Sequence, residues 1–163
     1  MASTFKDTKS ALAAVQKKLQ ESVNVALENQ VAEAVKDEEI MAIVNTVYNA
    51  YGNNDTGEPN VYERRYDSGG LVDRANMVPQ VHGGTLSVWN LTPANADYGN
   101  AGYFAGEIVI NGGPYKYPKG HNTFGDFNQP RDFIEQTYHN LRSSKSHVKA
   151  LKEGLIEQGF DVK

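Results

Sequence analysis

Residues 130–160 read PRDFIEQTYHNLRSSKSHVKALKEGLIEQGF and carry signals for both ends of a helix. Pro130 suits the first helical position, where the N–H that proline lacks is not needed. The carboxylate of Asp132 favours the positive end of the helix dipole. Gly159 suits the left-handed residue that follows a last turn. The stretch therefore predicts one long helix with a marked start and a marked stop.

Apolar residues recur along this stretch at steps of three, four or seven. They are Ile134, Tyr138, Leu141, Val148, Leu151 and Leu155. Such steps put side chains on one side of a helix, so we predict a single stripe facing a core. The cations Lys145 and Lys149 belong to the opposite face and are predicted to meet solvent or a neighbouring subunit. We place the C-terminal helix at residues 130–159.

Residues 10–51 are predicted to be helical because glycine and proline are absent throughout. Their apolar residues step by three or four: Leu12, Val15, Leu19, Val23, Leu27, Val31 and Val35. The acidic group that starts at Asp37 favours a bend or break there, with one continuous helix as the alternative. An unbroken helix would be about 60 Å long at 1.5 Å per residue, longer than a domain of this size covers. Part of it would then face a neighbouring subunit.

Residues 61–118 form the predicted strand-rich centre. Residues 85–91, TLSVWNL, alternate apolar and polar positions, which is typical of a strand with one buried face. Residues 103–111, YFAGEIVIN, contain a β-branched run and are predicted to form another strand. The paired glycines are interpreted as turn residues. The fold class is α+β, with a small, mostly antiparallel sheet flanked by a long N-terminal helix and a C-terminal helix.

Composition narrows the class of protein. The 163 residues suffice for a single domain with a core. A formal net charge of -4 argues against a protein that coats nucleic acid. The chain has no cysteine, and no apolar run approaches the ~20 residues of a membrane span. We expect a protein that does not enter a membrane.

The sequence offers no catalytic, cofactor-binding or metal-binding motif. His139 and His147 are eight positions apart, too far for the i, i+4 pair of a zinc-binding helix, and are predicted to be exposed helix residues. His82 and His121 sit beside glycine and are interpreted as turn residues. Phosphate loops and serine nucleophile elbows are absent. We therefore predict that the protein is not an enzyme and takes no cofactor.

Side chains suited to interfaces occur in two clusters. The arginines are Arg64, Arg65 and Arg74. Arginine favours carboxylate pairs and phosphate contacts, so pairing between subunits, pairing within the chain and DNA contact are the three alternatives. The aromatic residues are Tyr115, Tyr117, Phe124 and Phe127. They either anchor an interface or fill the core of their own loop.

Three segments carry a resemblance to a known family. They are residues 61–76, VYERRYDSGGLVDRAN, residues 107–118, EIVINGGPYKYP, and residues 130–163. Together they resemble the tail-completion, or head–tail joining, proteins of long-tailed bacteriophages. The family's first motif matches here at Tyr62, Arg64, Arg65, Gly70, Leu71 and Asp73, and its second at Pro130, Arg131, Phe133 and Ile134. Asp132 stands where the family usually has a second proline.

The resemblance implies a structural virion protein at the neck of the particle. Its expected partners are further copies in a ring, commonly of six, together with the tail tube protein and the head-side connector. DNA would pass through the ring lumen at most transiently. The expected location is the virion tail or neck, and the host cytoplasm during assembly. The alternatives are a capsid-associated decoration protein and, from another class, a host-directed binding protein or minor enzyme.

Overall fold

The computed structural model describes residues 7–49, 67–94, 102–112 and 130–162. Its helices are α1 (Thr8–Ala26), α2 (Ala32–Ile43), α3 (Ala105–Asn111), α4 (Phe133–Ser144) and α5 (Ser146–Glu157). Two strands, β1 (Met77–His82) and β2 (Thr85–Asn90), form an antiparallel sheet. The predicted α+β class is confirmed, and most of the described structure is helical.

The N-terminal helical region does not break near Asp37. Helical residues run from Thr8 to Tyr48, with π-helical turns at Leu27–Val31 and Val44–Tyr48. The predicted break was therefore wrong, because the acidic residues after Asp37 are accommodated inside α2, and the alternative of a bend stays a prediction. The helix starts with a capping box, in which the Asp7 side chain accepts from the Ser10 N–H at 2.7 Å.

The C-terminal region is two helices, so the prediction of one long helix was wrong. Lys145 separates α4 from α5 and has a left-handed backbone, with φ of 56°. Its N–H donates to the Leu141 carbonyl at 3.1 Å, as in a left-handed helix cap. Ser144 also bonds away from its helix, to Glu38 Oε1 at 2.7 Å. Serines that find such partners weaken the helix backbone locally.

The ends of this region were predicted with unequal success. The first helical residue is Phe133 and not Pro130, because Asp132 is the cap and accepts from the Glu135 N–H at 2.9 Å. The stop was correct: Gly159 is left-handed, and the Phe160 N–H donates to the Leu155 carbonyl at 3.1 Å. This last bond is the 6→1 bond of a Schellman cap.

Three of the six residues in the predicted apolar stripe of the C-terminal region are exposed, and the other three are half-buried. Ile134, Tyr138 and Val148 are exposed, whereas α4 buries Phe133 and Thr137. The Thr137 hydroxyl donates to the Phe133 carbonyl at 2.7 Å, which satisfies its polar atom. The predicted stripe assumes one continuous helix through Lys145. Because the helix breaks there, the side chains of α4 and α5 do not share one helical phase.

Residues 103–111 contain a helix where a strand was predicted. The helix is α3, and Gly112 follows it with a left-handed φ of 75°. Of its β-branched residues, Ile108 is buried, and Val109 and Ile110 pack against one hydrophobic cluster. Burial of consecutive side chains therefore overrides the β-propensity of this run. The predicted strand at residues 85–91 is confirmed as β2.

Contacts divide the chain into two compact units. The first contains Met1–Ala34, Pro79–Ser87 and Ser146–Lys163. The second contains Val35–Val78 and Val88–Lys145. The single-domain description stays a prediction.

In the first unit, α5 packs on α1 through small residues. Gly154 faces Ala26, and a Cβ built on Gly154 would stand 2.7 Å from the Ala26 Cβ. Gln158 Nε2 donates to the Ser22 carbonyl at 2.9 Å, and the Lys18 ammonium lies 5.9 Å from the centre of the Phe160 ring. The contacts step toward the start of α1 as α5 runs toward its end, so the two helices are antiparallel.

The second unit holds the larger hydrophobic core. Its buried members come from α2, the following π turn, the loop before β1, β1 itself and α4: Ala42, Ile43, Val47, Leu71, Met77 and Phe133. Helix α3 approaches closely through Gly106, where an added Cβ would stand 3.3 Å from Phe133 Cζ. The ring of Phe133, the first residue of α4, is thus where α4 contacts α3.

Candidate interaction surfaces

The first three turns of α1 expose an apolar face. Leu12 is 58% exposed, Val15 61% and Leu19 44%. Sequence analysis placed these residues on a single apolar stripe, which becomes buried only farther along, at Val31. Aliphatic side chains grouped in water are typical of an interaction surface.

The two-stranded sheet presents a second exposed surface. Gly83 and Gly84 connect the strands with φ of 58° and 80°, as a two-residue type I′ turn requires. Exposure alternates along β2, with Leu86 and Val88 half-buried between exposed neighbours. Trp89 lies on the outward face and is exposed. The glycine pair therefore serves a turn, as predicted.

Arg74 is the described member of the predicted arginine cluster. Its guanidinium forms an ion pair with the Asp37 carboxylate, and both side chains are substantially exposed. Of the three alternatives for this cluster, pairing within the chain is therefore realised at Arg74. Arg74 belongs to a short 3₁₀ turn, Arg74–Asn76, whose cap is Asp73.

The other predicted interface residues divide into described and undescribed positions. Lys145 and Lys149 are both exposed, as predicted. The remaining predicted interface residues lie outside the described residues: Arg64, Arg65, Tyr115, Tyr117, Phe124 and Phe127. Their interface role stays a prediction.

The described histidines do not converge. His139 is exposed and lies 3.7 Å from the Glu135 carboxylate one turn earlier. His147 is half-buried, so its predicted exposure was wrong; its Nδ1 is buried. His82 ends β1 beside the glycine turn, and His121 lies outside the described residues. Within the described ranges, no group of three or more acidic or histidine side chains could hold a metal ion.

Helix α2 contains a buried carboxylate that was not predicted from the sequence. Glu39 is buried and accepts from Asn90 Nδ2 at 2.9 Å. Burial raises the pKa of Glu39, and the hydrogen bond from Asn90 opposes that shift. Asn90 also donates to the Leu71 carbonyl at 2.9 Å, so it links α2 to the loop before β1. The available signal was position, since Glu39 stands four residues before the buried Ile43.

The buried network continues from Asn90 to Thr92. The Thr92 hydroxyl lies 2.7 Å from Asn90 Oδ1 and 3.0 Å from the Gly70 carbonyl. Thr92 is fully buried. These polar groups are satisfied by one another, so the network stabilises the core.

The described part of the chain is thus an α+β protein with exposed apolar and charged faces. In the part of the chain that the structure describes, no helix is long and apolar enough to cross a membrane. The chain belongs to the YomN family, whose model matches residues 11–157. That family derives from Bacillus phage, so the protein is phage-related. Comparison with curated proteins and with solved structures gave no match.

Membership of the YomN family supports one part of what the resemblance implies. A phage origin is confirmed. The tail-completion role, the neck location and the ring stay predictions.

Proposed function

We propose that this protein is a structural component of the phage particle, located at the neck. There it forms a homo-oligomeric ring that completes the tail tube and joins it to the head connector. The observation that carries the proposal is the exposed apolar face of α1, formed by Leu12, Val15 and Leu19. Phage ancestry supports a virion role, and the sequence motifs that resemble those of tail-completion proteins favour the neck.

The chemistry of the described surface supports a binding role. The buried polar groups around Glu39 are satisfied within the core. The exposed charges at Lys145 and Lys149 and the ion pair at Arg74 are features that suit protein contacts. The protein would act in the virion after assembly in the host cytoplasm.

The decisive experiment counts and locates the protein in purified particles. Quantitative mass spectrometry against the major tail protein is expected to give about six copies per particle, the number of a single ring. Electron microscopy with an antibody label is expected to mark the neck. Hundreds of copies distributed over the shell would contradict the proposal and favour a decoration protein.

Charge reversal at the exposed residues Lys145 and Lys149 supplies a second test. The Lys145→Glu/Lys149→Glu variant is expected to fold normally, because both side chains are exposed, and to assemble less well with its partners. Co-purification with the tail tube and connector proteins measures assembly, and thermal unfolding measures folding. Unchanged assembly would show that this face is not an interface.

A further inference from the structure

The exposed apolar face of α1 continues a face that is already used within the chain. A helix turns by about 100° per residue, so Leu12, Val15 and Leu19 fall on the same side as Ser22 and Ala26. α5 and the residues that follow it cover Ser22 and Ala26, at Gln158 and Gly154. Toward the N-terminus the same face remains exposed. We define Leu12, Val15 and Leu19 as the apolar centre of the basic patch.

Lysines border this patch on both sides. Lys9 stands three residues before Leu12 and Lys18 three residues after Val15, which places them at opposite edges of the stripe. Both side chains are exposed. The patch therefore combines an apolar centre with a positive rim.

An oppositely charged surface lies farther along the same helical region. Val25 is exposed, with Glu21 one turn before it and Glu28 one turn after it. Glu28 also lines an open depression of about 370 Å³ together with Asn29, Gln30 and Glu33. Glu21 lies 3.8 Å from Lys17 in an exposed pair, which leaves its carboxylate accessible. We define Glu21, Val25 and Glu28 as the acidic patch.

We infer that the basic patch of one copy of this chain docks on the acidic patch of the next copy. Each patch has an apolar centre and a charged rim, and the rims are of opposite sign, so the chain carries both halves of a complementary contact. Two different surfaces that meet form a heterologous contact, the type that generates rings. The inference deepens the proposed ring and rests on it.

The size of the patches also favours closure over an isolated pair. The apolar centre of the basic patch is about two helical turns long, roughly 11 Å. A stable pair of subunits usually buries about 800 Å² of surface on each partner. One such contact is small. In a closed ring every copy makes two of them, and the release of one copy requires the loss of both.

Reciprocal charge reversal tests the pairing. One variant carries Lys9→Glu and Lys18→Glu, and the other carries Glu21→Lys and Glu28→Lys. Each variant alone presents two rims of the same sign, so its self-association is expected to fall at least tenfold. An equimolar mixture restores opposite rims at every contact, and assembly to the wild-type mass is expected. Light scattering coupled to size exclusion measures the mass in each case.

Controls and outcomes separate the interface from the ring. A Glu107→Lys variant changes an exposed charge on α3, outside both patches, and is expected to assemble like the wild type. Thermal unfolding verifies that all variants fold. Wild-type assembly that survives in both reversed variants overturns this interface and leaves the ring intact, and so does a mixture that fails to recover. A wild-type chain that stays monomeric, alone and with its tube and connector proteins, overturns both proposals.

Discussion

Gly154 of α5 lies against Ala26 of α1 at a distance that only a glycine permits. A Cβ on Gly154 would stand 2.7 Å from the Ala26 Cβ and 2.7 Å from Gln30 Oε1. Ala26 is fully buried, and Gln30 is held by a 2.6 Å bond from its Nε2 to the Glu157 carboxylate. The packing of α5 on α1 therefore depends on a missing side chain.

Replacing Gly154 by alanine is expected to destabilise the protein by about 1–3 kcal/mol, the usual cost of overpacking a core. Alanine gains about 1 kcal/mol of helix propensity over glycine, which offsets part of that cost. Urea unfolding measures the difference. Glu153→Ala, at the exposed neighbouring position, is the control and should change stability by less than about 0.5 kcal/mol. A stabilised Gly154→Ala protein would show that α5 does not pack this closely.

Lys145→Gly is expected to stabilise the protein by about 0.5–1 kcal/mol. A left-handed backbone costs a non-glycine residue about 1–2 kcal/mol, and the larger entropy of glycine in the unfolded chain offsets part of the gain. Lys149→Gly makes the same change inside α5 and should destabilise by about 1 kcal/mol. Chemical denaturation compares the two variants. Equal losses at both sites would mean that the helix continues through Lys145.

Phe133 lies on the buried face of α4, whereas Ile134 lies on the face that the sequence predicted to be buried. Phe133 is 1% exposed, so Phe133→Ala is expected to cost about 3–5 kcal/mol. Ile134→Ala removes an exposed side chain and is expected to cost less than about 1 kcal/mol. Thermal and urea unfolding provide the comparison. The reverse order of the two losses would restore the stripe predicted from the sequence.

Glu39→Gln is expected to stabilise the protein at neutral pH. Because the pKa of folded Glu39 is raised above its ordinary value of 4.5, the folded state holds a proton that the unfolded chain releases. The resulting stabilisation is complete below the ordinary pKa and is lost as the pH rises through the raised pKa. The glutamine oxygen still accepts from Asn90 and carries no charge to bury.

A urea titration repeated at a series of pH values measures this effect. The wild type should lose stability relative to Glu39→Gln as the pH rises from about 4.5, the ordinary value for a glutamate. Glu153→Gln, at an exposed position outside both patches, is the matched control and should follow the wild type. Parallel curves for the wild type and Glu39→Gln would contradict the burial of a charged group at this site.

The sequence predicted the surroundings of some interaction residues and not those of others. The exposure of Lys145 and Lys149 followed from their charged side chains, which are seldom buried. The pair between Arg74 and Asp37 joins residues 37 positions apart, so no local pattern could identify the partner. The exposure of the first turns of α1 could not be predicted from the sequence either. An apolar stripe predicts that one face of a helix is covered, but it does not show where along the helix the covering segment ends.

The sequence by itself determined the features that depend on local backbone geometry. The Gly83–Gly84 turn, the alternation along β2 and the stop at Gly159 follow from positive φ and from the two-residue period of a strand, which neighbours in the chain decide. Tertiary structure decided that residues 105–111 are helical, that the helix breaks at Lys145 and that Phe133 is buried in place of Ile134. These outcomes depend on the apolar surface that distant segments of the chain bury together. The free energy of that burial exceeds the small differences in local propensity.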